Sequence, residues 1–205
     1  MNNYRASIRQ NDTYAFKAYP DLTNYQRAVQ DLVPHFSGKD RSGVHRCNEC
    51  GEIISKWEIS PAGIVVNNHA YDLSVTYDGL IVASEKFMLA YKENNLTGLE
   101  FRQLPDDPLF YAIHAIKKVE FDSEKRKTRF VNPCQKCGQY QSVVGATPIY
   151  LKGSAIIQER EFVTTDLEFG SGDEKGPLLI CGQKAAEIMI AANLKGVDFI
   201  LIEAK

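Results

Sequence analysis

The chain has 205 residues, 44% apolar and 24% charged, a globular balance that excludes a disordered tail, a collagen-like fibre and a coiled-coil rod. No apolar run nears the roughly 18 residues a membrane helix needs, and the polar start MNNYRASIRQ lacks a signal-peptide core, so a cytoplasmic protein without a membrane partner is expected. With 24 basic and 26 acidic side chains the net charge is −2, which argues against a broadly basic nucleic-acid binder.

In chain order, Tyr4 to Tyr19 reads as strands around a turn at Asn11-Asp12. Leu22 to Val33 reads as a short helix ended by Pro34. Next comes Cys47-Asn48-Glu49-Cys50-Gly51, followed by Glu52 to Ile59, whose alternation predicts a strand. Residues 79–104 then give an apolar entry segment, a helix capped by Ser84 with Glu85 in its first turn, a stop at Asn95-Leu96-Thr97-Gly98, and a strand. Phe87, Met88 and Tyr91 share one helix face and are expected in the core. The best boundary between halves is Pro105-Asp106-Asp107-Pro108, which divides the chain into 1–104 and 105–205.

Beyond it, Leu109 to Phe121 alternates, and is expected to pair with Thr128-Arg-Phe-Val131 across Asp122 to Lys127. A second Cys134-Gln135-Lys136-Cys137-Gly138 leads into the strand-like Gln139 to Val144. Asp166-Leu167 and the Gly-rich loop 170–176 precede residues 177–202, which align without gaps on 79–104 at an offset of 98. Identical pairs include Lys86/Lys184, Asn95/Asn193, Leu96/Leu194, Gly98/Gly196 and Phe101/Phe199. The repeat predicts an α+β fold of two related β-rich halves packed as one pseudo-symmetric unit. Each half would carry a Cys-x-x-Cys-Gly knuckle, strands and a short helix followed by a strand. The last strand, Val197-Asp-Phe-Ile-Leu-Ile202, is the more apolar of its pair and is expected to be the more buried.

The chemistry lies in the cysteines. Four of the five fall in the two knuckles, where a Cys-x-x-Cys turn lets two thiolates reach one metal and the trailing glycine accepts a positive φ. Cys47, Cys50, Cys134 and Cys137 together match a closed tetrahedral Zn2+ site. Two separate sites completed by other residues are the alternative; His35 and His45 lie near the first pair, and no histidine lies near the second. Redox Cys-x-x-Cys motifs usually open helices, and neither motif here does. A shared site would staple segments 83 residues apart. Cys181, in Leu178-Leu-Ile-Cys, reads as a small buried hydrophobe.

These elements resemble the double-CXXCG motif proteins, a family best known from myxobacteria. The matching features are the two Cys-x-x-Cys-Gly motifs, Asp166-Leu167, and the terminal pattern from Leu178-Leu-Ile-Cys-Gly-Gln-Lys to Leu194-Lys-Gly-Val-Asp-Phe. Val82-Ala-Ser-Glu-Lys86 fits the family's helix-entry segment, while Ile180-Cys-Gly-Gln-Lys184 departs from it. The resemblance implies a zinc-bearing scaffold and, in some members, neutralisation of a cognate protein toxin.

Two other readings compete with a non-enzymatic immunity-type protein. A zinc-ribbon-like nucleic-acid-binding or regulatory module would use Lys117, Lys118, Lys125, Arg126, Lys127 and Arg129, although Glu120, Asp122 and Glu124 interleave with them. An enzyme is disfavoured, because four thiolates close the metal's coordination sphere and His69 and His114 have no visible nucleophile partner. Acids expected on the surface, as a toxin-facing patch or as solvated turns, are Asp106, Asp107, Asp173 and Glu174.

Overall fold

Alternating apolar residues along the chain build strands, and the 3.6-residue periods in the two repeat copies build helices. The computed structural model describes residues 2–11, 13, 15, 43–153 and 155–202. The expected helix over Leu22–Val33, Asp12 of the expected turn, and His35 lie outside the described residues. Strands β1 (Asn3–Gln10), β2 (Leu73–Val75), β3 (Ile81–Ser84), β4 (Leu99–Leu104) and β5 (Asp107–Ala115) come first. They are followed by β6 (Lys118–Val119), β7 (Arg129–Pro133), β8 (Tyr140–Val144), β9 (Phe162–Ser171), β10 (Gly176–Gly182) and β11 (Val197–Ile202). Helix α1 spans Glu85–Glu93, α2 Ser123–Arg126 and α3 Gln183–Ala191.

The fold is mixed α and β, dominated by sheet. Hydrogen bonds link the strands in the order β4-β5-β3-β2-β1-β10-β9-β8-β7, with β11 on β1 and β6 on β9. Over the aligned segments, α1 and α3, and β4 and β11, are the same lengths and stand 98 residues apart, while β3 and β10 differ in length. In both copies one antiparallel strand separates the two arms of the strand–helix–strand run. In the first that strand is β5, lying between β3 and β4. In the second it is β1, lying between β10 and β11. The far end of β1 pairs parallel with β2, at Arg9↔Ser74 and Gln10↔Val75, and so joins the two groups of strands. Pro105-Asp106 forms the short connection of the β4–β5 hairpin.

Cross-bonding between the copies is reciprocal. Thr97 N–H donates to the Arg160 carbonyl and the Thr97 carbonyl accepts from Phe162 N–H, at the start of β9. The Lys195 carbonyl, at the matching place after α3, accepts from Asp72 and Leu73 N–H at the start of β2. The glycines that follow sit against backbone: a Cβ on Gly98 (φ +94) would come within 2.0 Å of the Phe162 carbonyl oxygen. One on Gly196 (φ +84) would come within 2.6 Å of the Leu73 carbonyl oxygen. Both positive φ and lack of space therefore select glycine there. Asn95 and Asn193 have φ of 51 and 49, the left-handed stop expected of them.

Both helices rest on one shared core. Phe87 and Tyr91 of α1, Ala185, Ala186 and Met189 of α3, and Leu73 and Phe162 at the two strand starts belong to a single buried cluster. Phe87 meets Phe162 edge to face, with ring centroids 6.2 Å apart. A second cluster holds Ile53, Ile59, Ile64 and Val66 against Leu80, Val82, Leu104 and Phe110, and so seats the segment after the first knuckle. A third holds Val119, Phe121, Ile149 and Ile157 against Val163 and Ile180.

Three expectations are corrected. The segment after Cys50 is not a strand: it makes one bridge, Arg46↔Ile53, then turns left-handed at Ser55 (φ 55) into a 3-10 turn at Lys56–Glu58. Residues 109–121 do not pair with 128–131; Asp122 instead caps α2 through Lys125 N–H, and β7 pairs with β8. Finally, β11 is less buried than β4. Each of the two has one strand partner among the described residues, β5 for β4 and β1 for β11, yet Ile200 and Leu201 of β11 are 46% and 45% exposed. Apolar content alone does not report what covers the faces of a strand.

Candidate metal centre

Each knuckle is a tight turn closed by the same two backbone bonds. Cys47 N–H donates to the Glu52 carbonyl at 2.9 Å and Gly51 N–H to the Cys47 carbonyl at 2.8 Å. In the second, Cys134 N–H donates to the Gln139 carbonyl at 2.8 Å and Gly138 N–H to the Cys134 carbonyl at 2.9 Å. Gly51 and Gly138 have φ of 78 and 73, and a Cβ at either would meet nothing within 4 Å, so conformation and not space calls for glycine. N–H groups two residues on, of Glu52 and Gln139, point at the sulfurs of Cys50 and Cys137.

The fold brings the knuckles together. Cys47 and Cys134 sulfurs are 3.8 Å apart and Cys50 and Cys137 sulfurs 3.6 Å apart. All four Sγ atoms lie within 4.8 Å of one another. A tetrahedron of thiolates about 2.3 Å from a central zinc has edges of about 3.8 Å, so the sulfur spacing fits a metal and is far too long for disulfides at about 2.05 Å. The four cysteines could therefore hold one metal ion, and the sulfur geometry favours the shared arrangement. Its inner edge is buried: Cys47 is 4% and Cys134 7% exposed. Without a metal, N–H groups of Cys50 and Glu49 lower the Cys47 thiol to about 7. The Glu52 N–H acts likewise on Cys50, but partial desolvation and the three neighbouring sulfurs outweigh it and push that thiol up to about 12. Thiolates packed this closely repel one another, and a divalent cation between them would offset that repulsion.

Three cations dock the first knuckle onto the β9–β10 connection. Arg46 forms a two-pronged ion pair with Asp173, at 2.8 and 3.0 Å. Lys175 Nζ pairs with Glu52 at 2.8 Å, both side chains under a tenth exposed, and also donates to the Tyr140 carbonyl. Lys56 Nζ donates to the carbonyls of Asp78, Asp173 and Lys175 at 2.9, 2.7 and 2.7 Å. Gln139 of the second knuckle reaches the Ile53 carbonyl at 3.3 Å. Sequence reading misses this frame, because residues like Arg46 and Asp173 stand 127 apart and carry no local pattern.

The other candidates fall elsewhere. His45 stands outside the cysteine cluster. Cys181 is fully buried in the helix-bearing core, where desolvation pushes its thiol up to about 12. His69 pairs with Asp107 at 2.9 Å. His114 stacks on Trp57, ring centroids 5.0 Å apart, and Arg102 covers that same ring. Of the acids expected on the surface, Asp107 is 7% exposed and accepts from Val66 N–H and His69. Asp173 is held by Arg46, while Asp106 accepts from Gly63 N–H. These three carboxylates bond to loops of the fold or to Arg46, while Glu174 is exposed, as expected. Within the basic stretch, Lys117 pairs with Glu161, and Lys125 lies over the Tyr150 ring.

Comparisons with protein-family models, curated proteins and solved structures find no match for this chain.

Proposed function

We propose that the protein is a non-enzymatic, cytoplasmic zinc-binding protein whose Cys47, Cys50, Cys134 and Cys137 hold one structural Zn2+. The observation that carries this reading is the convergence of four sulfurs from knuckles 87 residues apart at metal-like spacing. Four soft thiolates in a tetrahedral set suit zinc and leave no open position for substrate. We read the two halves as related copies joined in a pseudo-symmetric unit, a reading supported by the matched helix bounds and the reciprocal Thr97 and Lys195 bonds.

On that scaffold we propose an immunity-type role, binding and neutralising a cognate toxin. Its support is the resemblance to double-CXXCG proteins carried by the two knuckles and the terminal repeat. Metal analysis of the purified chain should return about one zinc per chain. Two zincs per chain would overturn the shared site, and a metal-free, fully stable protein would overturn the structural role. For the partner, affinity capture with the intact protein, followed by co-expression of any captured toxin, should show rescue of growth. Capture of nucleic acid in a salt-dependent manner would instead favour the module reading. Of the six basic residues that reading would use, Lys118, Lys125, Lys127 and Arg129 are exposed.

A further inference from the structure

The cysteine cluster is lopsided in a way that a purely structural metal site does not require. Cys47 and Cys134 form a buried inner edge, whereas Cys50 is exposed and Cys137 partly so. The outer sulfurs lie 3.6 Å apart and belong to different knuckles. We propose that Cys50 and Cys137 are an oxidation site, at which a peroxide converts the outer pair into a disulfide between the knuckles and the metal is released. The release rests on the zinc reading above; the disulfide needs only the thiols.

The step balances with hydrogen peroxide as oxidant. Sγ of one exposed outer cysteine, as the thiolate that a bound metal would maintain, attacks one peroxide oxygen, the O–O bond breaks, and the departing hydroxide leaves as water. Sγ of the other outer cysteine then attacks the sulfenic sulfur; the S–S bond forms, the S–O bond breaks and a second water leaves. Two electrons pass from the sulfurs to the peroxide. The two protons come from the thiols, or from solvent where the metal had held thiolates. Two remaining sulfurs are too few to retain zinc in a closed site. Joining positions 87 residues apart, the new bond would keep the knuckles together after the metal has gone. A bond within either knuckle would instead let them separate. Burial keeps Cys47 and Cys134 from the oxidant, and Cys181 is fully enclosed.

The test uses the wild-type full chain, first assayed for bound zinc and then titrated with hydrogen peroxide. Released zinc is read with a chromogenic chelator, free thiols by Ellman's reagent, and linkage by non-reducing peptide mapping. Trypsin cuts after Lys136, between Cys134 and Cys137, and a Glu-specific protease cuts after Glu49, between Cys47 and Cys50, so every pairing is distinguishable. The expected result is a Cys50–Cys137 peptide, a fall from five free thiols to three, and one zinc released per disulfide formed. The proposal is overturned if the first disulfide lies within one knuckle or joins Cys47 to Cys134. Retention of all five thiols, or sulfinic acid without a disulfide, overturns it equally. A protein isolated without zinc would defeat the metal reading alone, and the peptide map would still decide the disulfide.

Discussion

At the residue scale, the departure of the second repeat copy from the first has a physical cause. Ser84 Oγ accepts from Phe87 N–H and so caps α1. The equivalent Gly182 has no side chain, and Ala185 N–H is satisfied by the Glu159 carbonyl at 2.9 Å. A Cβ on Gly182 would stand 2.0 Å from the Gln158 carbonyl oxygen, so the 158–159 backbone occupies the place of the missing side chain. Restoring the repeat with Gly182→Ser should therefore destabilise the protein by more than about 2 kcal/mol, although on sequence grounds it adds a cap. Ser84→Ala should cost only about 1 kcal/mol. Urea unfolding of the two variants checks the order; equal or reversed costs would refute it. His114 supplies a pH dependence. Burial, then the nearby Lys118, hold its imidazole below the ordinary 6.5. As pH falls below 6.5 the unfolded chain therefore takes up the proton first, and stability is lost there and regained above it. In His114→Gln the fall in stability on the acid side of that value should be shallower, as measured by denaturant midpoints across pH.

At the scale of elements, each knuckle is a turn closed by two backbone hydrogen bonds that need no metal. Cys-x-x-Cys-Gly is legible because the required atoms are local: two thiols, a positive-φ glycine and the N–H groups between them. The helices are legible for the same reason, with Ser84, Asn95 and the Phe87, Met88 and Tyr91 face all acting within a few residues of one another. The strands are less so. Glu52 to Ile59 alternates like a strand but finds only one bridge, because its apolar residues are taken up by the cluster around Leu104 and Phe110. Similarly, alternation assigns Thr128–Val131 the wrong partner, since it does not encode which neighbour a strand meets. Removing one sulfur should undo the pairing of knuckles: Cys47→Ser or Cys134→Ser is expected to lose the metal and several kcal/mol of stability. Metal content together with thermal unfolding tests this, and a variant that keeps both would count against it.

Across the whole molecule, the centre is held from outside by one buried ion pair, Lys175–Glu52, beside the partly exposed Arg46–Asp173 pair. Lys175 and Glu52 meet with almost no solvent, so removing one partner strands the other charge. Lys175→Met should cost about 3–5 kcal/mol, and adding Glu52→Leu should recover much of that loss. A double-mutant cycle in denaturant measures the coupling; simple additivity would show the pair to be unimportant. By itself the sequence determined the local parts: two metal-competent turns, two helices with left-handed stops, and a repeat at an offset of 98. Each depends on atoms a few residues apart, which spacing and residue type specify directly. Tertiary structure alone decided that β1 fills the second copy as β5 fills the first, that Arg46, Lys56 and Lys175 lock the first knuckle to the β9–β10 connection, and that the outer cysteines face solvent. Those features join residues often more than a hundred positions apart, where loop closure varies only slowly with length and leaves no periodic trace in the chain.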